Sequence, residues 1–330
     1  MRNVRSLPSY QTYDEIRWNR EREYKQAADN IKRLNDAHDR WMTETISLAV
    51  EKVEREQGRV PAPFTFVVMG SAGRREQAIW SDQDHGLIFM GSNMMYKEYF
   101  LRLGEEIREG MAAVGYPRCE GKVMASHPRW CHSAGEWKEQ IDDWIQKDEW
   151  ATLRHLLTFI DARALLGERM LLNRVKSYVF QQIAGNPCLL GRLAENTSRL
   201  QQATNAFGKL LTEEKGPYTG FLHIKDVGLF PYIHAMRLLA MKEGIHETST
   251  LERMKQTAAQ YPFVHAKIQP FYTLLNLRAS FWEHHRTYED VHYIPVRTLS
   301  KDRKKRIKTA LQQGKQLFQQ TKKVIESGEK

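Results

Sequence analysis

The sequence predicts an α+β protein in which a small mixed sheet lies between a helical N-terminal arm and a helical C-terminal bundle. Three observations carry that prediction. Residues 13 to 56 contain neither proline nor glycine. Residues 64 to 90, FTFVVMGSAGRREQAIWSDQDHGLIFM, read as a strand, a Gly-Ser turn, a short polar helix and a second strand. Beyond Ser133 the apolar spacing is helical almost throughout.

Taken in order, residues 1 to 60 form the arm. Ile31, Leu34, Trp41, Thr45, Leu48 and Val53 give an amphipathic stripe over one or two long helices. Such a stripe reads as a packing arm or as a docking helix for a sensor or second subunit. Gly58 to Pro63 breaks the pattern and opens a central domain over 61–132. Its strands are Phe64 to Met69 and the run carrying Asp82 and Asp84 into Leu87 to Met90. A helix over 96–114 follows, ended by Gly115-Tyr116-Pro117, and a short strand near Lys122 to Ala125 completes the sheet. Ser133-x-x-Glu136 and Ser249-x-x-Glu252 are capping boxes within the third segment, 133–330. There the spacing predicts helices over 153–166, 172–183, 189–211, 230–242, 249–260, 266–284 and 300–327.

The chemistry concentrates at the central turn. Residues two apart on a strand project from one face, so Asp82 and Asp84 can share a hard cation such as Mg²⁺ through oxygen ligands. Without a cation, two adjacent carboxylates repel. Gly70 and Ser71 precede a helix whose first amides attract anions, and glycine lets a phosphate approach the backbone. Arg74 and Arg75 add cationic donors, unless they form an ordinary exposed basic face, and Glu76 reads as a salt-bridge partner. Together these residues describe a nucleoside triphosphate site.

Gly70-Ser71, ten residues, then Asp82-Gln83-Asp84 resembles the signature of the polymerase β-like nucleotidyltransferase superfamily. Gly70 to Gln77, Gly115-Tyr116-Pro117, Val123-Met124-Ala125, Pro128-x-Trp130-Cys131, Lys225-x-x-Gly228-Leu229 and Thr250 to Arg253 narrow the likeness over most of the chain from about Ile31. They resemble a bacterial nucleotidyltransferase family of unassigned substrate, related to PII-protein uridylyltransferases and glutamine synthetase adenylyltransferases. Its members are often fused to cyclic-nucleotide-binding and CBS domains. The resemblance implies a Mg²⁺-dependent transfer of a nucleoside monophosphate, UMP or AMP, to an acceptor such as a PII-like regulatory protein. It implies Asp82 and Asp84 as catalytic metal ligands, Gly70, Ser71, Arg74 and Arg75 around the triphosphate, and Lys225 as a phosphate contact from the helical half. Relatives complete the acidic set with a third carboxylate on a later strand. Glu120 stands nearest to that place here, and a catalytically inactive nucleotide-binding signalling module is the alternative.

Composition sets the remaining bounds. The 330 residues, 41% hydrophobic and 27% charged, suit a globular protein without a membrane-spanning run. Fifty basic against 40 acidic residues give a formal charge of +10, which favours polyanionic partners. Three cysteines without CxxC spacing suit a reducing cytoplasm. Cys119, His127, Cys131 and His132 match no compact zinc finger. Trp282, His284, His285 and His292 read as an aromatic core edge, and His38-Asp39 as an isolated dipeptide. The run Arg303 to Arg306 lacks interleaved aromatics and reads as a solvated helix face rather than a nucleic-acid grip.

Overall fold

The structure, a computed structural model, describes residues 10–28, 30–198, 201–205 and 208–327. They divide into two compact units, 1–181 and 182–330. The first unit contains α1 (Tyr13–Ala27), α2 (Ile31–Gln57), β1 (Phe64–Val68), α3 (Gly70–Arg74), β2 (His85–Phe89), α4 (Met94–Val114), β3 (Cys131–Ser133), α5 (Ala134–Lys147), α6 (Trp150–Ile160), β4 (Arg163–Gly167) and most of α7 (Arg169–Gly185). The second contains α8 (Pro187–Asn196), β5 (Phe221–His223), α9 (Phe230–Lys242), α10 (Thr250–Thr257), α11 (Pro262–His265), α12 (Ile268–Ser280), β6 (Tyr293–Pro295) and α13 (Lys301–Ser327). The α+β class expected from the sequence is the class observed.

The sheet of the first unit runs β3-β2-β1-β4. β1 pairs antiparallel with both β2 and β4, while β2 and β3 are parallel, so the sheet is mixed. Strand alternation sends Phe64, Phe66, Val68, Leu87 and Phe89 into one core with Leu34, Trp41, Phe100 and Leu103 of α2 and α4. Behind β2 and β3 lies an aromatic group of Trp130, Trp137, Trp144 and Phe159, and the Trp137 indole donates to the Leu87 carbonyl at 3.0 Å. Truncating one of these fully buried rings to alanine costs about 3–5 kcal/mol.

The expected arm is two capped helices, started by a Thr12/Glu15 capping box and by Asn30. Arg20 of α1 is buried, donates to the carbonyls of Val114 and Ile79, and lies 4.7 Å from the Tyr116 ring centre. That arginine ties α1 to the turn ending α4. The Ser133/Glu136 capping box forms reciprocally, whereas at Ser249 only the forward bond to the Glu252 amide is present.

Several expected elements differ. The stretch 122–125 is irregular and the third strand is β3, eight residues on from Val123. Val123 is instead held by its carbonyl, which accepts from the His85 amide, and Ala125 donates to the His85 ring. The helix expected over 153–166 stops at Ile160, and 163–167 is the edge strand β4. An apolar run of that length suits either state, and pairing with β1 decides it. The helix expected over 189–211 ends at Asn196, and the described residues beyond it carry only a Thr204–Leu210 bridge. Residues 199, 200, 206 and 207 of that expectation lie outside the described residues.

Candidate active site

The site is assembled on the loop between α3 and β2. Asp82 and Asp84 precede β2 rather than lying on it, yet the chain there is alternately buried, with Ser81, Gln83 and His85 inward and Asp82 and Asp84 part-exposed. The two-residue period therefore puts both carboxylates on one face. Gln83 fixes that face: its amide nitrogen donates to the carbonyls of Arg108 and Tyr116, and its oxygen faces His85 Nε2 at 3.0 Å. Because the Ala125 amide donates to His85 Nδ1, the ring proton sits on Nε2 and goes to Gln83. Burial holds His85 neutral, pressing its pKa to about 3.

Gly70 meets the pair directly. It has φ +53°, and a Cβ built on it would fall on the Asp84 carboxylate. Glycine is needed there twice over, for the left-handed backbone and for the space Asp84 fills. Ser71 follows, its hydroxyl 3.3 Å from that of the buried Ser81. Gly73 lets α3 pack on the backbone of Asp161. Asp82, Asp84 and Cys119 offer ligand atoms that all lie within 4.8 Å of one another. Burial, then Asp84 and Asp82, push the Cys119 thiol up to about 12.

The two arginines do not form an exposed basic face. Arg74 is buried and donates at 2.7 Å to both Glu76 and Asp161. Burial alone would lower its pKa, but the two carboxylates outweigh that and raise it. Arg75, the left-handed cap of α3, pairs with Asp36 and Asp39 of α2, and Asp39 also receives Arg163 of β4. His38-Asp39 is thus structural: His38 is buried between the Tyr116 hydroxyl and the Ala78 carbonyl. Lys225 belongs to the second unit, where it lies 3.4 Å from Tyr288 Oη and His292 Nε2. Glu120 is exposed in a turn, and the atom that joins the acidic pair is the neighbouring sulfur of Cys119. Cys119 thus groups with the two aspartates, in the one cluster of this kind among the described residues.

The family model described as "Putative nucleotidyltransferase DUF294" matches residues 18–151, and "Putative nucleotidyltransferase substrate binding domain" matches residues 187–325. The chain belongs to this nucleotidyltransferase family. No curated protein matches the sequence. In this nucleotidyltransferase, Gly70, Asp82, Asp84 and Cys119 fall in the first match and Lys225 in the second. No helix among its described residues is long and apolar enough to cross a membrane.

Proposed function

We propose that the chain transfers a nucleoside monophosphate, UMP or AMP, from a nucleoside triphosphate to a hydroxyl of a regulatory protein of the PII-like kind, releasing pyrophosphate. The observation carrying this reading is the seating of Asp84 against Gly70, with Asp82 on the same face. It brings paired acidic oxygens to a turn whose backbone a phosphate can approach. The donors fit a divalent ion: Asp82 and Asp84 are hard oxygen ligands suited to Mg²⁺, while the Cys119 sulfur is a poor Mg²⁺ ligand and forms part of the wall. Bound by the aspartates, Mg²⁺ supplies positive charge against the triphosphate and the departing pyrophosphate.

The chain's own residues do the remaining work. Gly70 and Ser71 receive the triphosphate, and Gln83 with His85 holds the aspartates in place from behind. Arg74, spent on Glu76 and Asp161, braces α3 rather than contacting phosphate. In the transfer itself the acceptor oxygen bonds to the α-phosphorus as the α–β bridge breaks to release pyrophosphate, and the hydroxyl proton passes to solvent water. Incubation with α-phosphate-labelled nucleoside triphosphates, Mg²⁺ and cell lysate tests the reading. A labelled protein band that disappears in Asp82→Ala and Asp84→Ala is expected.

A second reading has one observation in its favour. Cys119, not a third carboxylate, stands with the pair, and a thiol held protonated by burial is a poor base for the acceptor's proton. The pocket would then bind nucleotide and signal without transfer. Nucleotide binding without any labelled product selects this reading over the first.

A further inference from the structure

We propose that Lys122, His127 and Arg129 form a pyrophosphate-binding site in the first unit, which takes free pyrophosphate or the β,γ end of a nucleoside triphosphate. The triphosphate case rests on the transfer reading; the binding of free pyrophosphate does not.

The arginines of α3 leave room for such a site. Arg74 is committed to Glu76 and Asp161, and Arg75 to Asp36 and Asp39, so neither is left to neutralise a polyphosphate. Cations must still face the β- and γ-phosphates, where negative charge gathers as the bridge breaks.

The loop over 119–130 wraps the end of β2 that follows the aspartates. Its Cys119 groups with Asp82 and Asp84, and the Lys122 amide donates to the Cys119 carbonyl at 3.0 Å. The Val123 carbonyl accepts from the His85 amide, the Ala125 amide donates to His85 Nδ1, and a Cβ on Gly86 would lie 2.8 Å from the Trp130 carbonyl. Lys122, His127 and Arg129 therefore ride on a segment fastened to the two residues after Asp84. Lys122 stands there at φ +55°, a left-handed backbone in which glycine or asparagine would be less strained. Its side chain is exposed, and among the described residues its ammonium has no partner, so no contact within the fold accounts for a lysine at that position.

His127 and Arg129 present donors beside it. His127 caps the short turn Pro128–Trp130, its Nδ1 accepting the Arg129 amide at 3.2 Å. The ring proton therefore sits on Nε2, which has no protein partner among the described residues. Arg129 donates through Nη1 to His155 Nε2 at 3.3 Å, and His155 stands edge-on to the Trp130 ring, 5.7 Å between centres. That anchor orients the guanidinium and leaves its Nε and Nη2 without a protein partner among the described residues. Burial, then Arg129 and Lys122, lower the His127 pKa, and burial, then Arg129, Arg154 and His127, press His155 to about 4. Basic groups thus act on one another here, and among the described residues no carboxylate pairs with Lys122, Arg129 or Arg154. An ammonium, a guanidinium edge and an imidazole N–H suit the many oxygens of a pyrophosphate better than the two of a carboxylate.

Calorimetric titration of the full-length protein with pyrophosphate and with acetate, in the presence of Mg²⁺, tests the site. Pyrophosphate should bind and acetate should bind much more weakly. Lys122→Asn and Arg129→Met should each weaken pyrophosphate binding about tenfold or more, and Lys122→Arg should retain it. Because asparagine tolerates the left-handed turn, the urea midpoint of Lys122→Asn should equal or exceed that of the wild-type chain, so its loss of affinity cannot be a loss of fold. Titration with ATP and UTP beside AMP and UMP separates the sources. An equal loss for the triphosphates in Lys122→Asn, with the monophosphates unchanged, assigns the β,γ end; a loss confined to pyrophosphate assigns the free anion. The proposal is overturned if pyrophosphate does not bind, if acetate binds equally well, or if Lys122→Asn and Arg129→Met bind pyrophosphate as the wild-type chain does. Label transfer that proceeds with pyrophosphate affinity unchanged in both variants removes this site alone. Pyrophosphate binding that follows Lys122 and Arg129 in a chain that transfers no label keeps the site and removes the transfer reading.

Discussion

At Gly70 the absence of one methyl group decides whether Asp84 can occupy its place, because the built Cβ and the carboxylate claim the same space at φ +53°. Gly70→Ala should therefore cost about 1–3 kcal/mol of stability in backbone strain and displace Asp84. Nucleotide affinity, measured by calorimetry with Mg²⁺, should fall tenfold or more. The cysteines give a second expectation. Cys188 is exposed, Cys131 is buried, and Cys119 is part-buried with its thiol pushed up to about 12. In metal-free protein near neutral pH, maleimide should label Cys188 first, with Cys119 lagging and gaining rate as pH rises, as peptide mass spectrometry would resolve. That Asp82 and Asp84 share one face beside the Gly-Ser turn was legible in the sequence because it depends on short-range spacing. Cys119 was visible only as a zinc candidate, since nothing in a chain separation of 35 residues from Asp84 signals that the two meet.

Between elements, the cations of α3 do structural work. Arg74 joins α3 to Asp161 at the end of α6, and Arg75 and Arg163 bring α3 and β4 to Asp39 of α2. Arg74→Met would leave the carboxylates of Glu76 and Asp161 in a site where the arginine side chain is 8% exposed. Loss of about 3–5 kcal/mol follows from stranding buried charge, read as a lower urea midpoint with unchanged m-value. Arg75→Ala, at a side chain 34% exposed, should cost about 1 kcal/mol or less. Elements with a local signature, α4 by its apolar period and α5 by its capping box, were legible in the sequence. β3 and β4 were not, because three residues and an apolar run become strands only by pairing with β2 and β1. Arg74 read as a phosphate donor or an exposed cation for the same reason: its second carboxylate lies 87 residues away.

Across the whole molecule, both units bury histidines in neutral form, and that sets how the protein responds to acid. In the first unit His38 and His85 are pressed to about 3, by burial in both cases and for His38 also by the adjacent Arg20. In the second, burial and neighbouring cations press His285 to about 4 and His292 to about 2. An unfolded histidine titrates near 6.5. Between about pH 6.5 and the folded values, the unfolded chain binds protons that the folded chain excludes. The stability contributed by these groups is therefore full above pH 6.5 and is lost as pH falls. Each fully buried histidine should add a slope of about 1.4 kcal/mol per pH unit in that window. His38 gives the sharpest test. Its Nε2 must donate to the Ala78 carbonyl, so Nδ1 accepts from the Tyr116 hydroxyl, and protonating it would turn that acceptor into a second donor beside Arg20. His38→Gln should lower stability at pH 7.5 but flatten the loss between pH 6 and 4.5 by about one proton's slope. Urea denaturation at several pH values would reveal this, and parallel slopes for the variant and the wild-type chain would show that His38 is not one of the groups resisting acid.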